Sequence, residues 1–435
     1  MAVLRRQTWT EMTSADRRAL FERGLDDIFD PQLRAGIEAL VADVRERGDA
    51  AVCDALARFD GIELAPEQLA VTDEQIEAAA VAHEVDAAID DAIAHLRAFN
   101  ERQLERFGDW SFESEPGLTV GEKIGPIASA GLYTPSGKAS YPSVAYQLAV
   151  PAVVAGVRQI ALVVPPAPGG DGDVDPAVLV VCRKLGLTPA NGHGVFRANG
   201  PAGIAAMGFG TDTIPKVLKL MGPGSPATTL TQIELRRHGI ETVMLLGPTE
   251  SVVVADHTAD PERLAADLLI EAEHGTDSSV VLVTTSAELV DAVDAAAARR
   301  LAALPPARAE AARASLGPNG GAVLVSDLAV AVDVANTYAP EHLQVAVADA
   351  AVDDVVAGLV NAGEILVGQH TPFSAANFVI GCPASLPTSG YAHVSSGITA
   401  ATFLKRTAVA RADAAALARM TPSVVALADH EGFPA

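Results

Sequence analysis

The feature that most constrains this chain is a change of texture near residue 124, after which short runs rich in Val, Ile and Leu alternate with helical segments. The runs are "RQIALVVPP", "ETVMLLG", "SVVVADH", "SSVVLVTT", "GAVLVSD" and "GEILVGQ". Alternation of this kind predicts an α/β fold with mostly parallel sheets. Upstream, through about residue 110, the sequence is helical: "SADRRALFERG", "DPQLRAGIEALVADVRERGDAAVCDALARFDG" and "TDEQIEAAAVAHEVDAAIDDAIAHLRAFNERQLERFG". Each opens on Ser, Asp or Thr as N-cap, and the second places Pro in its first turn. The stretch "PPAPGGDGDVDP" reads as a surface connection, and no repeat of about 20–50 residues is present.

A chain of 435 residues exceeds one ordinary core, so two or three domains are expected, with one able to be inserted in another. Lys plus Arg number 31 and Asp plus Glu 55, and 31 − 55 gives a formal charge of −24. That balance argues against nonspecific nucleic-acid or anionic-membrane partners and for a small-molecule enzyme. The N-terminus lacks an apolar core, and no stretch reaches the roughly 18 uninterrupted apolar residues of a membrane span, so a soluble, cytoplasmic protein is expected. Cys53, Cys182 and Cys382 lie far apart without CxxC spacing and read as packing residues.

The candidates for chemistry stand at element ends. In "DPERLAADLLIEAEHG", Asp260 is the expected N-cap and Glu271, Glu273 and His274 crowd the last turn, where a helix favours positive charge. Glu271 and His274, three apart, share a face and can offer a carboxylate oxygen and an imidazole nitrogen to one cation; the pair also fits a solvated face. A nearby divalent charge would offset the carboxylates, leaving Glu273 as a solvated or hydrogen-bonding neighbour. In "YAPEHLQV", Glu341 and His342 are a candidate proton-transfer pair, or a helix start with ordinary polar residues. The glycine-rich segments "SAGLYTPSG" and "MGPGSPATTLTQIELRRHG" read as turns. In the second, Gly222–Ser225 lead into a helix whose free amides can receive a phosphate, although neither matches GxGxxG or a Walker A loop.

In combination and order, "GLYTPSG", "GFGTDTIPKV", "GPGS", "GPTE", "ADHTADPERLAADLLIEAEHG", "YAPEHL", "NAGEILVG", "LPTSG", "SSGITAATFLKR" and "LADHEGFPA" resemble the histidinol dehydrogenase family from about residue 30 to the last residue. The resemblance implies a homodimer with exchanged helical tails and two incomplete Rossmann-like domains, using zinc and two NAD molecules to oxidise L-histidinol through the aldehyde to L-histidine in histidine biosynthesis. The implied division is a helical N-terminal tail over 1–26 and a discontinuous first α/β domain over 27–112 and 248–397 carrying the catalytic and metal residues. An inserted Rossmann-like domain over 113–247 takes the NAD side, and a dimerisation tail covers 398–435.

Residue by residue, the resemblance makes Glu341 and His342 the catalytic pair and Tyr133 an NAD contact. It makes Glu271, His274 and Asn377 the metal ligands, for zinc or, with this donor set, manganese. Thr249, Glu271, His274, His342, Asn377 and Glu431 become the substrate contacts, with Glu250 beside Thr249 in the "GPTE" turn. This chain departs from the family pattern in places. Glu271 stands for a glutamine and Asn377 for an aspartate, an exchange that keeps the formal charge. Pro383 and Ala384 replace an asparagine and a substrate-binding histidine, and Ala202 and Ser225 replace a glutamine and an asparagine at the NAD site. The fourth zinc ligand is expected at the position following Ala435. Another polar alcohol, such as a sulfopropanediol-like substrate, and a non-catalytic binding role on the same scaffold are the alternatives these departures raise.

Overall fold

Parallel pairing of the Val/Ile/Leu runs builds two separate sheets in this protein, and a third, antiparallel sheet forms outside them. The structure, a computed structural model, describes residues 2–21, 30–136, 141–167, 172–243 and 247–433. The chain opens with β1 (Arg6–Thr8) and α1 (Ser14–Phe21), then α2 (Pro31–Arg47), α3 (Asp49–Ala55), α4 (Asp73–Ala78) and α5 (His83–Leu104). Next come β2 (Trp110–Glu115) and β3 (Leu118–Pro126), followed by β4 (Ser129–Tyr133), α6 (Pro142–Ala155), β5 (Gln159–Val164), α7 (Pro176–Leu185) and β6 (Gly194–Arg197). α8 (Gly200–Phe209), β7 (Lys219–Met221), α9 (Pro226–Arg236) and β8 (Glu241–Thr242) complete that unit. β9 (Glu250–Ala255), α10 (Pro261–Ala272), β10 (Ser279–Thr284), α11 (Ala287–Leu301), α12 (Pro306–Leu316) and β11 (Gly321–Leu324) start the next. α13 (Leu328–Tyr338), β12 (His342–Ala346), α14 (Asp349–Gly358), β13 (Glu364–Val367) and α15 (Phe373–Phe378) finish it, and β14 (Leu404–Ala412) and α16 (Ala414–Glu431) close the chain.

The five-stranded parallel sheet has the order β6-β5-β4-β7-β8, so the chain starts in the middle, builds outward on one side and then returns to the other. That reversal between β4 and β7 is where doubly wound sheets open a crevice beyond their carboxyl ends. The six-stranded parallel sheet has the order β1-β11-β10-β9-β12-β13. α10, α11 and α12 bury their apolar residues on one of its faces, and α13, α14 and α1 on the other. β14 pairs antiparallel with β3, which pairs with β2.

Five of the expected strands are present as β5, β9, β10, β11 and β13, whereas "ETVMLLG" contributes only Glu241–Thr242 as β8 and its residues 244–246 lie outside the described ones. Part of "PPAPGGDGDVDP", residues 168–171, also lies outside them. "SAGLYTPSG" is not simply a turn: Ser129–Tyr133 is the buried central strand β4. Its glycine is a packing requirement, because a Cβ at Gly131 would collide with Leu220, Met207 and Val217.

The tails and the helical third also differ from expectation. Residues 6–8 are an edge strand paired with β11, so the first 26 residues are not wholly helical. The helices between residues 30 and 104 pack on the five-stranded sheet rather than joining the six-stranded one. α2 and α3 bury Ile37, Val41 and Val52 with Val163 and Ala205, and α5 buries Ile89 and Leu96 with Leu132 and Leu148. The physical reason is that α6–α9 expose apolar outer faces that only a further helical layer covers. Cys182 is buried and all three cysteines are free. Among the described residues no helix is long and apolar enough to cross a membrane.

Candidate active site

The site begins where α13 ends. Ala339 adopts the left-handed conformation at the C-cap of α13, with φ 50° and ψ 63°, a strained choice for a residue with a Cβ. The turn then delivers Pro340, Glu341 and His342 to the start of β12, so this segment is a strand entrance and not the helix start that the sequence also allowed. β12 lies between β9 and β13, and the register sets His342 opposite Ser251 on one side and Glu364 on the other. His342 Nδ1 is 2.5 Å from Glu364 Oε1, and its Nε2 is 3.7 Å from Glu341 Oε1. Glu341 Oε2 accepts the backbone N–H of Glu250 at 3.2 Å. The edge of the Phe373 ring lies against the imidazole, with centroids 6.0 Å apart.

α10 brings the second group. Asp260 caps it by accepting the N–H groups of Glu262 and Arg263, and its apolar stripe of Leu264, Leu268 and Leu269 faces the core. Glu271, on the same buried face, is fully enclosed; its Oε2 accepts from Ser251 Oγ at 2.9 Å and its Oε1 from Asn377 Nδ2 at 2.7 Å. His274 lies beyond the helix end, exposed, with Nδ1 3.1 Å from the Glu271 carbonyl oxygen. Glu273, the C-cap, is half-buried and its carbonyl accepts from Arg308. Among the described residues no group of three or more His, Cys, Asp and Glu is placed to hold a metal ion. With the amide of Asn377 counted, Glu271, His274 and Asn377 still supply one carboxylate, one amide oxygen and one imidazole nitrogen. That is a donor set a divalent cation accepts with an open position left over.

One cavity of about 260 Å³ joins these groups to the other sheet. Glu341, His342, His274, Asn377, Thr249 and Ala384 line one side, and Pro135 and Pro223, from the loops leaving β4 and β7, line the other. The crevice therefore lies between the carboxyl edge of the five-stranded sheet, at its topological switch point, and the amino edge of the six-stranded sheet. On the first edge, Tyr133 is almost entirely buried and packs against Gly200, Gly222 and Gly224, where side chains would collide with it or with Thr228. Ser225, exposed, caps α9 by accepting the N–H of Thr228. A cradle closed to Cβ atoms at two helix N-termini suits a phosphate-bearing cofactor. Ala202, in the first turn of α8, is wholly inside the core, so its side chain presents nothing to a ligand. Glu431 is exposed at the end of α16, whose main neighbour is β14.

The electrostatics centre on His342. Burial alone lowers the basicity of an imidazole, but Glu341, Glu271 and Glu364 outweigh it and carry His342 up to about 10. Burial pushes the Glu341 carboxyl up to about 8, opposed by His342 and assisted by Glu271 and Glu250. Four residues here were given no role by the sequence: Glu364, Ser251, Gln344, and Gln147, whose Oε1 accepts the N–H of Ala384 at 3.1 Å. Gln344 donates to Asp267 Oδ2 at 2.8 Å. The available signal was a charged or amide residue inside an otherwise apolar run, as in "GEILVG" and "EHLQVA".

A sequence profile described as histidinol dehydrogenase matches residues 26–435. The histidinol dehydrogenase of Rhizobium meliloti (strain 1021) is 40% identical over 406 residues, covering 93% of this chain and 90% of the relative. A histidinol dehydrogenase homolog of Colwellia psychrerythraea is 36% identical over 432 residues, covering 98% and 93%. The crystal structure of histidinol dehydrogenase from Elizabethkingia anophelis superposes with a TM-score of 0.91 at 28% identity, covering all of this chain and 96% of the other.

The carboxylates around His342 lead to a test that needs no substrate. In the metal-free protein, nuclear magnetic resonance of ¹⁵N-labelled histidines is expected to show His342 still an imidazolium at pH 7.5, losing its proton only well into the alkaline range. A titration near the ordinary value of about 6.5 would contradict this electrostatic account.

Proposed function

The chain belongs to the histidinol dehydrogenase family, NAD-dependent oxidoreductases acting on CH–OH groups. From that premise we propose that it oxidises L-histidinol through the aldehyde to L-histidine. The observation that carries this reading is the placing of Glu341 and His342 in one cavity with the loops at the switch point of the other sheet. Neither another polar alcohol nor a non-catalytic role gains support from the relatives.

Each oxidation removes a proton from oxygen and a hydride from carbon. The alcohol gives the aldehyde, water adds to the aldehyde, and the hydrate gives the carboxylate, so two NAD are consumed and one water oxygen enters the product. Bound NAD supplies the hydride acceptor in both steps. In its neutral form, which a divalent cation offsetting the neighbouring carboxylates would favour, His342 takes the alcohol proton at Nε2, the nitrogen that faces Glu341, releases it, and later takes the hydrate's proton. Glu341, beside it on the cavity wall, takes a proton from the water as it adds to the aldehyde. Its raised affinity for protons suits a base that must also release them. Glu271, His274 and Asn377 are the residues that would hold zinc, which when bound supplies a Lewis acid to orient the substrate's heteroatoms. Tyr133 and the Gly222–Ser225 turn are proposed for NAD, supported by the glycine-lined cradle at the start of α9. Ala202 offers only its backbone. Thr249, on the cavity wall, is proposed as a substrate contact.

A second copy of the chain completes the proposal. α16 leaves Leu417, Val424, Val425 and Leu427 exposed, and Phe433 just beyond it is exposed too, an apolar surface that its own subunit does not cover. Its packing on a partner would carry Glu431 toward the partner's cavity.

Two measurements test the reading. Assayed by NADH appearance on L-histidinol beside a panel of other polar primary alcohols, the parent is expected to favour L-histidinol. His342→Ala is expected to lose about 10²- to 10⁴-fold in kcat with little change in KM; a loss under tenfold where chemistry limits would remove His342 from the base role. Metal analysis of the parent, Glu271→Ala and His274→Ala is expected to show zinc held at least about tenfold more weakly in both variants. Equal metal content in all three would mean that the end of α10 is no metal site.

A further inference from the structure

Glu364 is a carboxylate placed where the strand needs none. β13 reads Glu-Ile-Leu-Val, and an apolar residue in the first position would satisfy both the ladder and the core. Glu364 instead buries its side chain to 5% exposure against a ring that is itself 4% exposed. Its Oε1 meets His342 Nδ1 at 2.5 Å, while its Oε2 has no hydrogen-bond partner among the described residues. Among the described residues the imidazole is thus the one side chain that hydrogen-bonds this carboxylate. A buried ion pair of this kind gives little stability over an apolar pair of the same volume, so folding alone does not account for it.

The geometry around the ring is fixed from three sides. The β12–β13 register sets His342 and Glu364 opposite one another, and the Glu364 N–H donates to the Glu341 carbonyl, tying the two strands at this point. Phe373 packs against the ring in a T-shaped arrangement, and Nε2 is left facing Glu341 and the cavity.

We propose that Glu364 is a positioning residue for His342: its carboxylate accepts the Nδ1–H, holds the neutral imidazole in that tautomer, and leaves the Nε2 lone pair aimed into the cavity. Glu364 touches no reacting atom. It acts by keeping the correct nitrogen unprotonated and by stabilising the imidazolium once Nε2 has taken a proton, as a carboxylate behind a catalytic histidine does elsewhere.

This inference rests on the assignment of His342 as the base, and the tests separate the two. In ¹⁵N-labelled parent protein at a pH where His342 is neutral, imidazole shifts and couplings are expected to show the Nδ1–H tautomer. An Nε2–H tautomer there would overturn the proposal without reference to activity. Glu364→Gln keeps the shape of the side chain but can turn its amide N–H toward Nδ1, so kcat is expected to fall by about 10²-fold or more. KM for L-histidinol and the melting temperature should stay close to those of the parent. Glu364→Asp, which keeps the charge on a shorter arm, should recover part of the loss. Full turnover in Glu364→Gln, beside a large loss in His342→Ala, would overturn the positioning role and leave the base assignment standing. Full turnover in both would remove the base assignment itself. Should Glu364→Gln fail to fold, the tautomer of the parent decides.

Discussion

His342 sits buried between Glu364 on one ring nitrogen and Glu341 on the other, and the order of the parallel strands is what makes that possible. β12 is interior, with β9 and β13 on either side, so side chains at the amino ends of three adjacent strands converge: Glu250 and Ser251, His342, and Glu364. Glu271 joins them from α10 through Ser251. Burying this many carboxylates around one imidazole is costly unless positive charge stays close. A proton on His342 would supply part of that charge, and a cation at Glu271, His274 and Asn377 would supply more. The same negative surroundings hold a proton on the imidazole, and positive charge brought by a cation at Glu271, His274 and Asn377 would offset them and favour the neutral ring that a base must be.

The crevice is made by two sheets that meet edge to edge with opposite sense. The five-stranded sheet offers its carboxyl edge at the point where its strand order reverses, where glycines that exclude a Cβ leave a cradle of the kind that suits a phosphate-bearing ligand. The six-stranded sheet offers its amino edge, carrying the titratable groups. Neither edge alone assembles the two functions that hydride transfer needs, a cradle for the acceptor and a base for the proton. Helices α2–α5, which bury their apolar faces on α6–α9, thicken the first unit and leave its carboxyl edge open toward the second.

Much of this was legible in the residues. The runs around Val281 and Val253 declare buried parallel strands, and the Asp260–Pro261 start of α10 is a plain helix signal. β4 was hidden because Gly131, which lets Leu220 and Met207 pack over it, reads locally as a turn residue. β12 was hidden because its first residue is His342 and a polar Gln344 stands inside it; burial and neighbours, not propensity, make it a strand. Where α2–α5 pack was not legible at all, since an amphipathic helix shows that it has a buried face and not which sheet it faces. Glu341, His342, Glu271 and His274 were found as short-range pairs. Glu364 was passed over because its partner is a neighbouring strand, and register across a sheet is not written in either strand alone.

The claim at the centre of this account is that one base at one site serves two successive oxidations with hydride leaving the same carbon. It is met most directly by following L-histidinol carrying two deuterium atoms on its carbinol carbon, incubated with the zinc-loaded protein and excess NAD, by mass spectrometry of cofactor and product. The account expects two deuterated NADH per molecule consumed and an unlabelled carboxylate carrying one oxygen from solvent water. Release of a singly deuterated aldehyde with one deuterated NADH, or no transfer of label to the cofactor, would contradict it.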